Sequence, residues 1–220
     1  MVAAILLCLA KIPTLCIDPG HPSEVGLGTR GRHISEIKLA WQVAKRLEAE
    51  MKSRGWRVVV TKHSEGERVT NRKRAEIANA CHADLMLRLH CDAASGTGFT
   101  VFYPDRQGRI NGTQGPSKAL LKEVRPIAER FHESLSHELR GFLKDNGLKS
   151  DIRTQVGAHH GALIGSIFSK VPVVLVEMCV LTNRTDESKL SSKIGQIRLA
   201  SALAKTCAAT FERSRTSGAR

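Results

Sequence analysis

The sequence predicts a single α/β domain built on buried, mostly parallel strands. Short apolar runs at 13–18, 84–90 and 171–177 read as strands covered on both faces. Amphipathic helical patterns alternate with them, as in a βαβ chain. Each run also ends on reactive side chains: Asp18-Pro19-Gly20-His21, Leu89-His90 and Val176-Glu177. Open α/β sheets carry their chemistry just past the carboxyl ends of such strands, so His21, His90 and Glu177 are expected around one crevice.

The first strand, 13–18, leads into a glycine-rich loop over 20–31. A helix follows, because Ile37, Ala40, Val43, Ala44, Leu47 and Met51 recur at three- and four-residue steps, with Ser35 as N-cap and Gly55 as stop. Residues 56–61 alternate and β-branch like a strand. A second helix over 69–81 feeds the His90 strand, and 98–103 reads as another strand. Residues 116–146 are helical in pattern, with Pro126 imposing a kink or break near Arg125 and Asn146-Gly147 ending the run. Residues 151–165 are ambiguous, since Gly157, Gly161 and Gly165 punctuate them and His159-His160 interrupt any period. A loop through Asn183 and Arg184 leads to a closing helix over 186–211 and a frayed basic tail. With no repeat or linker, the expected division is a domain over 12–212, a possible partial signal segment over 1–11 and the tail over 213–220.

A formal charge of +13 across 220 residues favours an anionic partner. With only 4% aromatic residues and no basic stretch interleaved with them, the chain offers no stacking platform for single-stranded nucleic acid, and nucleic acid is not the expected partner. The six cysteines form no C-x-x-C pair, which excludes a zinc ribbon and a thioredoxin-like site and leaves buried free thiols as the expectation. Residues 1–10 are apolar and end Cys8-Leu9-Ala10, but lack a basic n-region and are too short to span a bilayer. No later segment reads as transmembrane.

Two imidazoles and a carboxylate suit a catalytic zinc, and a second carboxylate suits a general base. Glu36 opens the helix after His21, where the helix dipole alone would favour a carboxylate; the same place also projects it toward the crevice. At His90 an apolar run switches to His-Cys-Asp with no gain in packing. Glu177 directly follows Val-Pro-Val-Val-Leu-Val, a costly place for a charge unless it is paired or bound to metal. Cys91 is a less favoured nucleophile, because on a pleated strand it points away from His90.

Taken in order, Asp18-Pro19-Gly20-His21, Gly31, Glu36, Arg74-x-x-Ile77-Ala78-Asn79, Leu89-His90-Cys91-Asp92-Ala93, Pro172 to Glu177 and Asn183 resemble the type 3 family of zinc-dependent N-acetylmuramoyl-L-alanine amidases. The similarity runs over residues 12–210. It implies a twisted, mostly parallel sheet with helices on both faces, zinc bound by His21, Glu36 and His90, and Glu177 as the catalytic carboxylate. It also implies a peptidoglycan substrate, cleaved between the lactyl group of N-acetylmuramic acid and L-alanine, and a periplasmic or extracellular location. A monomer is the default expectation. The chain departs from the family pattern at Pro22-Ser23, where glycines are usual, at Arg88, where serine is usual, at Asp92, where asparagine is common, and across Met178 to Thr182. These changes spare the ligands and the base and fall on substrate contacts. Arg72, Lys73 and Arg74 are candidates for stem-peptide carboxylates, with Arg74 read first as a structural ion-pair partner; His159 and His160 read as loop histidines. The competing readings are a zinc carboxypeptidase-like hydrolase of stem peptides, a non-catalytic wall-binding module, and a basic nucleic-acid binder.

Overall fold

Both faces of the central sheet are covered. The computed structural model describes residues 12–217, in the order β1 (Thr14–Pro19), α1 (Glu36–Ser53), β2 (Arg57–Val60), α2 (Asn71–Ala80), β3 (Leu85–Asp92), β4 (Phe99–Tyr103), β5 (Gly108–Ile110), β6 (Thr113–Gly115), α3 (Lys118–Glu138), β7 (Asp145–Ser150), α4 (Gln155–His160), α5 (Ile164–Ile167), β8 (Val173–Val180), α6 (Arg184–Ser191) and α7 (Lys193–Ser217). Six strands form one sheet in the order β2-β1-β3-β8-β4-β7, and β5 and β6 make a separate hairpin. The β2, β1, β3 and β8 strands pair in parallel; β4 meets β8 antiparallel and pairs in parallel with β7.

Alternation along the strands divides the core. Leu15, Ile17, Leu85, Leu87 and Leu89 face α1, α3 and α7 in the larger cluster, while Cys16, Met86 and Val173 face α2 on the other side. Each leucine taken fully out of water contributes about 2 kcal/mol. The chain leaves β1 by α1 to reach β2 on one flank and returns by α2 to β3 on the other, which opens a crevice at the carboxyl ends of β1 and β3.

The structure differs from the sequence pattern in several places. Helix α3 runs through Pro126 unbroken and stops at Glu138, because Val124, Ile127, Ala128 and Phe131 keep its apolar face buried despite the missing donor. Residues 145–150 are then the edge strand β7, too polar and half-buried to show a strand period. Residues 151–165 resolve into a 3-10 turn (Asp151–Arg153) and the short helices α4 and α5, so His159 and His160 are helical and not loop residues. The closing helix is two helices separated at Ser192, whose backbone is extended, and α7 continues to Ser217, past the expected onset of fraying. The expected signal segment, 1–11, lies outside the described residues. The five described cysteines are all free and buried.

Beneath the crevice, Asp18 is fully buried in an ion-pair network. Arg74 Nη1 donates to its Oδ1 at 2.6 Å, Arg88 Nε to its Oδ2 at 2.8 Å, and the Thr61 hydroxyl to Oδ1 at 2.5 Å. Burial opposes the charge, but the two guanidinium groups and the hydroxyl outweigh it and hold the carboxyl well below the usual carboxylate range. Replacing Asp18 by Asn strands two buried cations, so we expect Asp18→Asn to lower unfolding free energy by about 3–5 kcal/mol at pH 7 in urea titrations. A carboxyl held low stabilises only when ionised. The wild-type advantage should therefore be full above about pH 4 and shrink as the pH falls further.

Candidate active site

His21 is placed by the turn that ends β1, where the Gly20 amide donates to the Leu89 carbonyl at 2.8 Å. The turn brings the backbone so near β3 that a Cβ on Gly20 would lie 2.6 Å from His90 Cε1, and one on Gly28 would collide with Glu36 and His21. Only glycine allows the loop over 20–31 to wrap this closely.

The His21 Nδ1 atom lies 3.0 Å from the Gly26 carbonyl oxygen. A carbonyl only accepts, so Nδ1 donates to it and Nε2 is the nitrogen turned toward the cluster, the orientation that a backbone carbonyl commonly gives a metal-binding histidine. That Nε2 lies 3.6 Å from Glu36 Oε1, and His90 Nδ1 lies 3.0 Å from the same oxygen. Donor atoms of His21, Glu36 and His90 all fall within 4.8 Å of one another. The structure thus brings together the three side chains singled out as ligands.

The helix dipole is not the whole account of Glu36. Ser35 Oγ caps α1 by accepting from Lys38 N, whereas Glu36 turns inward and accepts from Thr29 N at 2.8 Å and Cys91 N at 3.0 Å. Burial opposes its charge, yet the bond to His90, the two imidazoles and the Thr29 amide hold its carboxyl below the ordinary range. Burial lowers the proton affinity of His90 in turn, offset in part by Glu36. A carboxylate beside two imidazoles is the donor set that a divalent ion with nitrogen and oxygen ligands requires.

Glu177 is the register partner of His90 across β3 and β8, and the even-numbered positions of β3 and odd-numbered positions of β8 share the α2 face of the sheet, which puts both there. Its Oε2 and the His90 Nε2 are buried without a hydrogen-bond partner among the described residues. Burial, then the charges of Glu36 and Asp92, push the Glu177 carboxyl well above its ordinary value. The strands run on past these residues, to Asp92 and Val180, so His90 and Glu177 sit inside their strands and not at the tips.

The remaining candidates separate cleanly. Cys91 points into the α1, α3 and α7 core, away from His90. Arg74 is the ion-pair partner of Asp18, while Arg72 pairs with Glu76 on the surface of α2. The rings of His159 and His160 stack edge to face in a hollow that adjoins the cleft at Val25, Gln155 and Val156, outside the ligand cluster.

Two supports were not visible in the sequence. Lys62 Nζ donates to the carbonyls of His21 at 2.6 Å and Glu65 at 2.8 Å, and Glu187 Oε1 accepts from His33 N at 2.6 Å and Ile34 N at 3.3 Å. Lys62 follows the Val58-Val59-Val60 strand as His90 follows its own apolar run, which is the one signal it gave. Glu187 reads simply as an acid in the first turn of α6.

A family model described as N-acetylmuramoyl-L-alanine amidase matches residues 15–209. The chain belongs to this amidase family. Among curated proteins it is similar to the N-acetylmuramoyl-L-alanine amidase LytC of Bacillus subtilis, with 27% identity over 193 residues, 86% of this chain and 34% of LytC. It is also similar to YqiI, an uncharacterized protein of the same organism, at 27% identity over 86% of this chain and 81% of YqiI. The chain thus spans about a third of the length of the first of these relatives. Among solved structures, the apo form of the amidase Ami1 from Mycobacterium abscessus superimposes with a TM-score of 0.74 at 21% identity, over 90% of this chain and 98% of that one, a likeness of fold.

Removing the Glu187 carboxylate leaves the two amides just before α1, those of His33 and Ile34, without this partner. Glu187→Ala is expected to cost about 1–3 kcal/mol in urea unfolding. It should also speed hydrogen exchange at the His33 and Ile34 amides while leaving exchange in β3 unchanged.

Proposed function

We propose that this chain is a zinc-dependent peptidoglycan amidase that cleaves the bond between the lactyl group of N-acetylmuramic acid and L-alanine. The observation that carries the reading is the convergence of His21, Glu36 and His90 within 4.8 Å, beside Glu177, in a chain of the amidase family.

His21 and His90 would hold zinc as neutral nitrogen donors, and Glu36 would contribute the anionic oxygen. When bound, zinc supplies Lewis acidity, polarising the scissile carbonyl and making water acidic enough to lose a proton near neutral pH. Glu177 would take that proton and return it to the nitrogen of the leaving amine. Its unpartnered Oε2 is free for this exchange, and a proton affinity raised by burial suits a group that must both accept and release at neutral pH. No nucleophilic side chain is required, consistent with the inward orientation of Cys91.

Peptidoglycan lies outside the cytoplasmic membrane, so the reading places the protein in the cell envelope, with residues 12–212 as the catalytic unit. No helix among the described residues is long and apolar enough to cross a membrane.

Purified protein is expected to carry about one zinc per chain, and His90→Ala to lose it; full metal retention by that variant would remove His90 from the ligand set. Glu177→Gln should keep zinc and lose at least about 100-fold in release of peptides from purified sacculi. Unimpaired hydrolysis by Glu177→Gln would overturn its acid–base role. Mass spectrometry of the products checks the bond cleaved: intact peptides beginning with L-alanine support the amidase, whereas shortened stems indicate a peptidase.

A further inference from the structure

We propose that Arg88 is a specificity-determining residue that binds a carboxylate on the peptide side of the substrate, about two residues from the scissile amide. The proposal rests on the amidase reading and deepens it.

The first support is the way Arg88 is paired. Lys62, Arg74 and Arg88 are each no more than 3% exposed, and the carboxylate that Arg74 and Arg88 hydrogen-bond is Asp18, while buried Asp151 and Glu177 face Arg88 only through space. Arg74 by itself neutralises Asp18 and spends its remaining donors on the carbonyls of Val69, Pro19 and Pro22. Lys62 bonds to carbonyls only. Arg88 is therefore a second guanidinium on an acid that Arg74 already pairs, and among the described residues it hydrogen-bonds no carboxylate of its own.

The second support is where that guanidinium lies. Arg88 lines the same cleft as His21, His90 and Glu177. Its fork is held rigidly: Nε donates to Asp18 at 2.8 Å and Nη2 to the Asn71 side-chain oxygen at 2.5 Å. The backbone of α5 closes over it at Gly165, where a Cβ would fall 2.8 Å from Arg88 Nη1. No hydrogen bond within the described residues engages that Nη1. Leu163, Ile164 and Leu175 line the cleft beside it, and apolar walls strengthen any ion pair formed there.

A pre-positioned planar guanidinium in an apolar cleft is suited to a carboxylate. Arg88 precedes His90 by two residues on one strand face, which separates them by roughly 7 Å. That distance equals about two residues of extended peptide. A ligand whose scissile amide lies at the His90 end therefore presents the second residue of its peptide to Arg88.

The test reads binding and not turnover. The as-purified full chain is titrated calorimetrically with L-alanyl-glutamate and with the same dipeptide carrying carboxamides in place of both carboxylates. The acid should bind at least about tenfold more tightly. Arg88→Ser, which leaves the Asp18–Arg74 pair intact, should abolish that preference; any carboxylate affinity due to a bound metal would survive the substitution. Arg88→Lys keeps the charge without the fork and should show a reduced preference, with circular dichroism confirming that both variants are folded. Equal affinities in the wild type, or a wild-type preference retained in either folded variant, would overturn the proposal. Loss of sacculus hydrolysis without loss of this preference would count against the amidase reading alone.

Discussion

The Glu36 carboxylate is the tie on which the site depends. It accepts the amides of Thr29, in the loop after β1, and Cys91, in β3, while Oε1 faces both imidazoles. Three segments distant in sequence are thereby fixed to one pair of oxygens. A charge this deep is tolerable because each oxygen has a donor, and those donors are backbone groups that do not move independently of the fold. The same arrangement frees Ser35 to cap α1, so the start of that helix serves architecture through one side chain and the site through the next.

A second layer of charge lies directly below. Asp18 and its two arginines join β1, α2 and β3 on the face that carries His90 and Glu177. The site is thus stacked on a polar foundation where a sheet of this kind is ordinarily apolar. Positions 18 and 88 are register partners on adjacent strands, as are 90 and 177, so strand pairing alone sets the lateral order of these groups. The upper layer holds donors for an ion; the lower one supplies the positive wall beside it.

Much of this was legible in the sequence because the relevant residues interrupt strong patterns. His90 and Glu177 each break an apolar run, His21 closes the Asp18-Pro19-Gly20 turn after another, and Glu36 follows a clear N-cap, so their elements and their common edge followed from the sequence pattern. What stayed hidden depends on contacts that no local pattern encodes. Strand β7 and the β5–β6 hairpin are short, polar and peripheral. Pro126 reads as a breaker, yet the buried face of α3 overrides it. Arg88 stands out as a cation in an apolar strand, but its partners Asp18 and Asn71 lie 70 and 17 residues away, and Glu187 reaches its amides across more than 150 residues. These are tertiary facts, available only once the sheet order is known.

The separation of His21, Glu36 and His90 along the chain has a kinetic consequence. Glu36 and His90 are 54 residues apart and meet only when β1 and β3 have paired in parallel across an intervening crossover. Such long-range pairings form late and slowly in folding. A polypeptide emerging during synthesis carries the ligand residues without the crevice, and its reactive centre matures at the same moment as its tertiary structure.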